Sequence, residues 1–492
     1  MVKPRGVGGD SVGDAPAEPL FRTERDLLGP VKVPSGAYFG AFTARAMDNF
    51  QVSGLRIDRE FTACLAMVKK AAARANEELG YLPRAHTDAM ARACDEVASG
   101  MFDDNLVLDV FQAGAGTPWN MNMNEVVANR ANEILGSPLG SYTPLHPNDH
   151  VNMSQSSNDV IPTAMRIASL RLTDGLVQEL GYLAQSFRAK AVEFRDKVKS
   201  GRTHMRDAVP VTFGQEMEAY AAAVQTSLAL ITDALSSLRL LPIGGTAVGT
   251  GLNTHPRYQA AVIGHLAEET GLDLVAAPSL FEKLQFTTDF LQLMNALSSL
   301  SSSLIKVCND LMMLSSGPYA GLGEVTLPTV EPGSSIMPGK VNPSILECCN
   351  MVFMQVTGSR GVVEAASRLG AFELNVYTPV VAYNVFTSVR WLTNAVRTLN
   401  QRCVQGLGVN EGVGLRYFQG SGSLATLLAP IIGYDRAAEL TRRAEAQGRP
   451  VRDVILGEGV LTEGQLSELM EYSTRPNLEV VDRVRRETEE PK

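Results

Sequence analysis

The run FLQLMNALSSLSSSLIKVCNDLMML, residues 290–314, places Phe290, Leu293, Leu297, Leu300, Leu304, Val307, Leu311 and Leu314 at spacings of three and four. That is a sustained heptad, the pattern of a long helix packed in a bundle. From Leu293 to Val307 the only charge is Lys306, and the face opposite the leucines is built of serine. A helix with small or apolar residues all round is expected to be covered all round, which implies a core shared between several subunits. Asn295 and Ser298, Ser299, Ser301, Ser302 and Ser303 break the apolar run and argue against a transmembrane helix here.

The same periodicity recurs on both sides of this segment. Phe213, Met217, Tyr220, Val224, Leu228, Ile231, Leu235 and Leu238 repeat it, as do Leu172, Leu176, Leu180, Leu183, Phe187 and Phe194. Strand-like alternation is scarce, so the expected fold class is mainly α with a long central helical bundle. The expected organisation is a disordered segment over residues 1–20, an N-terminal domain over 21–160, the bundle over 161–410, a small C-terminal helical domain over 411–475, and a charged tail over 476–492 that frays. Within the first domain a helix is expected near Phe61 to Gly80. The stretches Gly114 to Asn124 and His146 to Asp159 read as loops.

The chain has 492 residues, with 44 Lys+Arg against 53 Asp+Glu, a net charge of -9 that argues against nucleic acid and anionic membrane surfaces as partners. A local positive pocket for a small anion remains open to an acidic protein. Cys64, Cys94, Cys308, Cys348, Cys349 and Cys403 form no CxxC pair, and no histidine cluster stands at zinc spacing. Most lie in apolar helical contexts and read as buried reduced thiols, which with the absence of a signal-peptide pattern points to the cytoplasm. No metal or cofactor is expected.

The chemistry concentrates in Gly333-Ser334-Ser335-Ile336-Met337-Pro338-Gly339-Lys340-Val341-Asn342-Pro343. Glycines let backbone approach a ligand, and prolines keep the segment out of a helix. Such a loop can present Ser334 as a base or nucleophile while Lys340 and Asn342 hold an anion. Three further polar segments accompany it: Gly114-Ala115-Gly116-Thr117 with Asn120, Asn122 and Asn124; Ser154-Gln155-Ser156-Ser157-Asn158-Asp159; and Gly201-Arg202-Thr203-His204. Each alone reads as a helix cap or a structural histidine. Together they supply hydroxyls, amides, one imidazole and one ammonium, a set suited to a substrate with two carboxylates.

Over residues 21–475 the chain resembles the aspartase/fumarase superfamily, on the blocks at Thr117, at Ser156 to Asp159 with Thr203-His204, and at Ser334 to Asn342. The resemblance implies a three-domain, mainly helical protomer in a homotetramer, with a core of about twenty helices and sites built from three subunits. It implies reversible elimination from a four-carbon dicarboxylate, releasing fumarate. By position, Ser334 resembles the general base, and His204 and Glu347 a catalytic pair. Thr117, Ser156, Ser157 and the Ser334–Ser335 amides fit the role of donors to one carboxylate as charge develops. Lys340, Asn342 and Thr203 match the positions that grip the other, and Asn158 and His204 match residues near the leaving group.

Choice of leaving group is read from fewer residues. Gly114-Ala115-Gly116-Thr117 and the stretch Arg449 to Leu466 resemble aspartases, whereas Ser156-Ser157-Asn158 resembles fumarases. The expected activity is therefore aspartate ammonia-lyase, with fumarate hydratase or a lyase for substituted aspartates as the alternatives. A catalytically dead scaffold is disfavoured by the intact Ser334, Lys340, Asn342 and His204. Pro118-Trp119 departs from both patterns, and Trp119 could either reshape the site or pack in the core.

Overall fold

A computed structural model describes residues 20–489, so all but the last residue of the expected disordered N-terminal segment lies outside the described residues. The chain divides into two compact units. The first comprises residues up to Arg171 with Ser236–Leu291 and Val362–Phe386; the second comprises Leu172–Leu235, Gln292–Gly361 and Thr387 onward.

Both units are mainly helical. Among the described residues, the strands pair only in two-stranded sheets, including the antiparallel hairpins Phe21–Asp26 with Gly29–Pro34 and Val198–Thr203 with Arg206–Thr212. The first unit holds the helices Ala41–Asn49, Arg59–Glu78, Arg84–Ala98, Thr117–Ile134 and Tyr258–Thr270, and the N-terminal part of Ser157–Glu193. The Arg59–Glu78 helix, expected near Phe61 to Gly80, starts where Asp58 caps it by accepting from the Glu60 N–H.

The second unit is built on the greater part of the long helices Phe213–Leu238, Thr288–Leu314, Ser344–Ser367 and Thr378–Arg402, with the C-terminal part of Ser157–Glu193. All eight heptad residues from Phe290 to Leu314 are buried. The opposite face differs from expectation within one chain: Asn295, Ser299, Ser302 and Asn309 are exposed. Phe213–Leu238 has the length and mean hydropathy (1.2) of a membrane span, but its Phe213, Met217, Tyr220, Val224 and Ile231 face is buried in protein.

Beyond residue 410 the helices are short. Gly433, Gly448 and Gly459 separate them at positive φ, where a Cβ would strain the backbone. Phe418, Leu424, Leu428, Leu440, Ile455, Leu466 and Val484 form a core of their own. The described part of the tail contains a helix, Leu478–Glu489, whose Val480, Val481 and Val484 fall on one face and join that core.

Two further expectations change. Gly114 to Asn124 is not a loop throughout, since Thr117 starts a helix with Pro118 in its first turn, where a missing N–H costs nothing. Asn120, Asn122 and Asn124 escape the loop tendency of asparagine because their amides bond to other segments. In His146 to Asp159, residues Pro147–Val151 form a π-helical turn and a helix starts at Ser157, five residues before Pro162. Five cysteines are buried and Cys348 is exposed, all as free thiols. Burial pushes the Cys94 thiol up to about 12.

Candidate active site

The first unit gathers Thr117, Ser156, Ser157 and Asn158. Two left-handed residues, Ala115 (φ 58°) and Gly116 (φ 67°), turn the chain into the Thr117 helix. Gly114 is required there, because a Cβ would stand 2.7 Å from Val376 Cβ. At the end of this turn Thr117 Oγ1 lies 2.9 Å from Ser157 Oγ, at the start of the Ser157–Glu193 helix. Two helix N-termini therefore meet at a pair of hydroxyls, where unpaired N–H groups and helix dipoles favour an anion.

The Ser156–Asp159 turn is fixed from both directions. Asn158 N–H donates to Ser156 Oγ (3.2 Å), and Ser156 N–H donates to Asp159 Oδ1 (2.9 Å). Asp159 Oδ2 accepts from the Gly244 and Thr246 N–H groups at 3.0 and 2.9 Å. Asn158 Nδ2 donates to the Ala247 carbonyl at 2.8 Å. Asp159 is fully buried, and burial raises its carboxyl to about 6 against the opposing pull of these backbone bonds. The Gly244–Gly249 loop is thus tied to the serine turn through one carboxylate.

Lys69 was not singled out by its sequence context, and it stands behind the same segments. It is 0% exposed, and burial lowers its ammonium to about 7. Its signal in the sequence is its phase: Leu65, Lys69, Ala72 and Asn76 share one stripe of the Arg59–Glu78 helix, and all are buried. Trp119 is core packing. It is 5% exposed and tilts against Phe61 at 5.2 Å between ring centroids.

The second unit carries the remaining candidates. Ser334 Oγ accepts N–H bonds from Ile336 (3.3 Å) and Met337 (3.0 Å). Lys340 Nζ donates to Asn342 Oδ1, and Asn342 Nδ2 donates to the Gly333 carbonyl at 2.6 Å. Gly333 cannot take a side chain here, because a Cβ would sit 2.3 Å from the Lys340 carbonyl. Ser334 is half-buried, whereas Ser335 and Lys340 are exposed.

Thr203 and His204 sit at the tip of the Val198–Thr203 hairpin. His204 and Met205 form its two-residue turn with φ of 54° and 59°, a conformation costly for side chains larger than asparagine. Glu324, 0% exposed on its side chain, anchors the hairpin: Arg202 NH1 donates to it at 2.6 Å, and Lys199 Nζ lies 3.6 Å away. Glu347 lies exposed in the first turn of Ser344–Ser367. Within one chain no hydrogen bond or ion pair among the described residues joins it to His204.

The family described as Lyase matches residues 29–358, and that described as Fumarase C C-terminus matches residues 424–474. The chain is 46% identical over 463 residues to fumarate hydratase class II 2 of Bradyrhizobium diazoefficiens, covering 94% of this chain and 98% of that one. It is 43% identical over 449 residues to an aspartate ammonia-lyase of a Bacillus species, covering 91% and 96%. Among solved structures, the class II fumarase of Schistosoma mansoni superposes with a TM-score of 0.88 at 35% identity, over 93% of this chain and 99% of that one. Paired with the serine loop, the hydroxyl-lined helix ends and the histidine hairpin, these matches make the chain a member of the aspartase/fumarase superfamily of lyases.

Proposed function

We propose that this lyase catalyses the reversible hydration of fumarate to L-malate. The elimination chemistry rests on one observation: Ser334 Oγ receives two backbone N–H bonds, in a loop that also carries Lys340. A serine hydroxyl is a poor base near neutral pH, and donors aimed at its oxygen stabilise the alkoxide it needs to become. In the dehydration direction Ser334 takes the proton next to one carboxylate of malate. The extra charge on that carboxylate is met by Thr117, Ser156, Ser157 and the Ser335 amide. Lys340, Asn342 and Thr203 hold the other carboxylate. Asn158 and His204 serve the leaving oxygen, with Glu347 as partner of His204.

Water, rather than ammonia, is supported as the leaving group by the neutral character of the first-unit cluster. Its side chains beside the helix N-termini are hydroxyls and one amide. The carboxylate of the segment, Asp159, is buried and occupied by three backbone N–H bonds, so it is not available to an ammonium. The names of the Bradyrhizobium and Schistosoma relatives lend the same support. This reverses the order of preference drawn from Ala115 and Arg449 to Leu466. Aspartate ammonia-lyase is the second reading, supported by Ala115 and the Bacillus relative.

The functional unit in this proposal is a homotetramer whose sites combine residues of different copies. Support comes from the Ser344–Ser367 helix, where Met351 (62%), Met354 (58%) and Val362 (42%) leave an apolar face exposed beside Gly358 and Gly361. The deciding experiment incubates the protein with fumarate, with and without ammonium, and identifies the product by NMR. Malate in both mixtures is expected. Aspartate formed only with ammonium, and no malate without it, would favour the second reading.

A further inference from the structure

We propose that Lys69 is a positioning residue that sets the substrate-facing hydroxyls by orienting the amide side chains behind them. This rests on the reading of Thr117 and Ser156 to Asn158 as substrate-binding groups. Lys69 Nζ donates to three neutral amide oxygens: Asn120 Oδ1 at 2.6 Å, Gln155 Oε1 at 2.9 Å and Asn152 Oδ1 at 3.1 Å. In its ammonium form Lys69 has three N–H bonds, all thereby used, and among the described residues no carboxylate hydrogen-bonds to it.

Each acceptor belongs to a segment that bears on the site. Asn120 lies one turn after Thr117, Asn152 ends the Pro147–Val151 turn, and Gln155 precedes Ser156. With every amide oxygen turned toward the ammonium, every amide NH2 must point away from it. Gln155 Nε2 then reaches the Val151 and Met153 carbonyls at 3.0 and 3.1 Å, and Asn152 Nδ2 the Gln155 carbonyl at 3.2 Å. Asn120 Nδ2 and Asn124 Nδ2 both donate to Asn152 Oδ1. One charge therefore decides the direction of three amides and, through them, the backbone of residues 151–155 that leads into Ser156.

A buried ammonium held only by neutral groups is costly, and an aliphatic side chain would serve the core better. Its presence fits a demand for orientation rather than for stability. Without it the three amides are free to flip, and the serine turn loses its support on one side while Asp159 still holds the other.

The test replaces Lys69 with methionine (Lys69→Met) in the full chain and measures KM and kcat for fumarate hydration, together with backbone hydrogen exchange. kcat per folded molecule should fall by about tenfold, because the hydroxyls that meet the developing charge are misplaced while the Ser334 base is intact. Exchange over residues 151–158 should quicken at least about tenfold, with the C-terminal core unchanged. A purely structural lysine would lower the folded fraction and leave kcat per folded molecule alone. Unchanged kcat per folded molecule, or unchanged exchange over 151–158, in a folded variant overturns the proposal. If Lys69→Met does not fold, Gln155→Met, which cuts only the link next to Ser156, is read by the same two measurements. If the wild type hydrates no fumarate, the hydratase reading falls and exchange alone judges Lys69.

Discussion

Thr117 Oγ1 and Ser157 Oγ lie 2.9 Å apart although 40 positions separate them in sequence. The contact joins the N-termini of two long helices, so each hydroxyl is oriented by the other as well as by its own helix. Removing one should both delete a donor and release its partner. Ser157→Ala is expected to lower kcat/KM for fumarate hydration by about a hundredfold, the usual effect of losing one transition-state donor. Ser157→Thr keeps the hydroxyl and should retain most activity. Steady-state kinetics on both variants check this, and a fully active Ser157→Ala would remove Ser157 from the site.

Ser334→Ala should reduce turnover by at least about a thousandfold, since it deletes the base. The side chain is small and half-buried, so circular dichroism and sedimentation should match the wild type. Near-normal turnover in such a variant would assign the base elsewhere.

The sequence displays most of the fold because heptads speak through side chains that meet within one chain: Phe290 to Leu314 form one buried face. The same segment hides its other face, since Asn295, Ser299 and Ser302 are small enough to suit either solvent or a second copy. The site segments are visible where serine, asparagine and glycine cluster outside helical periodicity. Lys69 is not, because a lysine within an alanine-rich helix normally marks the solvated side. Only the positions of Asn120, Asn152 and Gln155 in space reveal why it is buried. The place of Trp119 is hidden in the sequence for a similar reason: its neighbour Phe61 lies far away in the chain.

Asp159 gives stability a specific dependence on pH. Its carboxyl is raised from 3.8 to about 6 in the fold, so between these values the folded protein binds more protons than the unfolded chain. Stability from this group is therefore full below about pH 4, is lost as pH rises through about 6, and amounts to about 3 kcal/mol in all. Asp159→Asn abolishes that titration but turns an amide NH2 against backbone N–H donors, at a cost of about 1–3 kcal/mol. The difference in unfolding free energy between wild type and variant should shrink from pH 4 to pH 7. A constant difference, measured by urea titration at each pH, would show that Asp159 does not titrate in this range.

Glu324 holds the hairpin that carries His204. Glu324→Ala leaves Arg202 and Lys199 without their shared carboxylate, and loss of one partner of a buried pair destabilises by about 3 kcal/mol or more. Activity should fall further than the folded fraction, because the His204–Met205 turn loses its anchor. If activity per folded molecule were unchanged, measured at saturating fumarate, the anchor would have no functional role.

Self-association should be a condition of activity. Met351, Met354 and Val362 expose an apolar face along one helix, a cost that burial against further copies would relieve. The Met351→Glu, Met354→Glu double variant should place charges in that contact, yield smaller species by sedimentation, and lose activity in parallel. Sharing of sites makes a stricter prediction. Ser334→Ala and His204→Ala are each expected to be inactive as homotetramers. Mixed after reversible dissociation, they should regain activity, because some sites then draw both residues from chains in which they are intact. An active monomer, or fully reassembled hybrids with no recovery, would place Ser334 and His204 of each site on one chain.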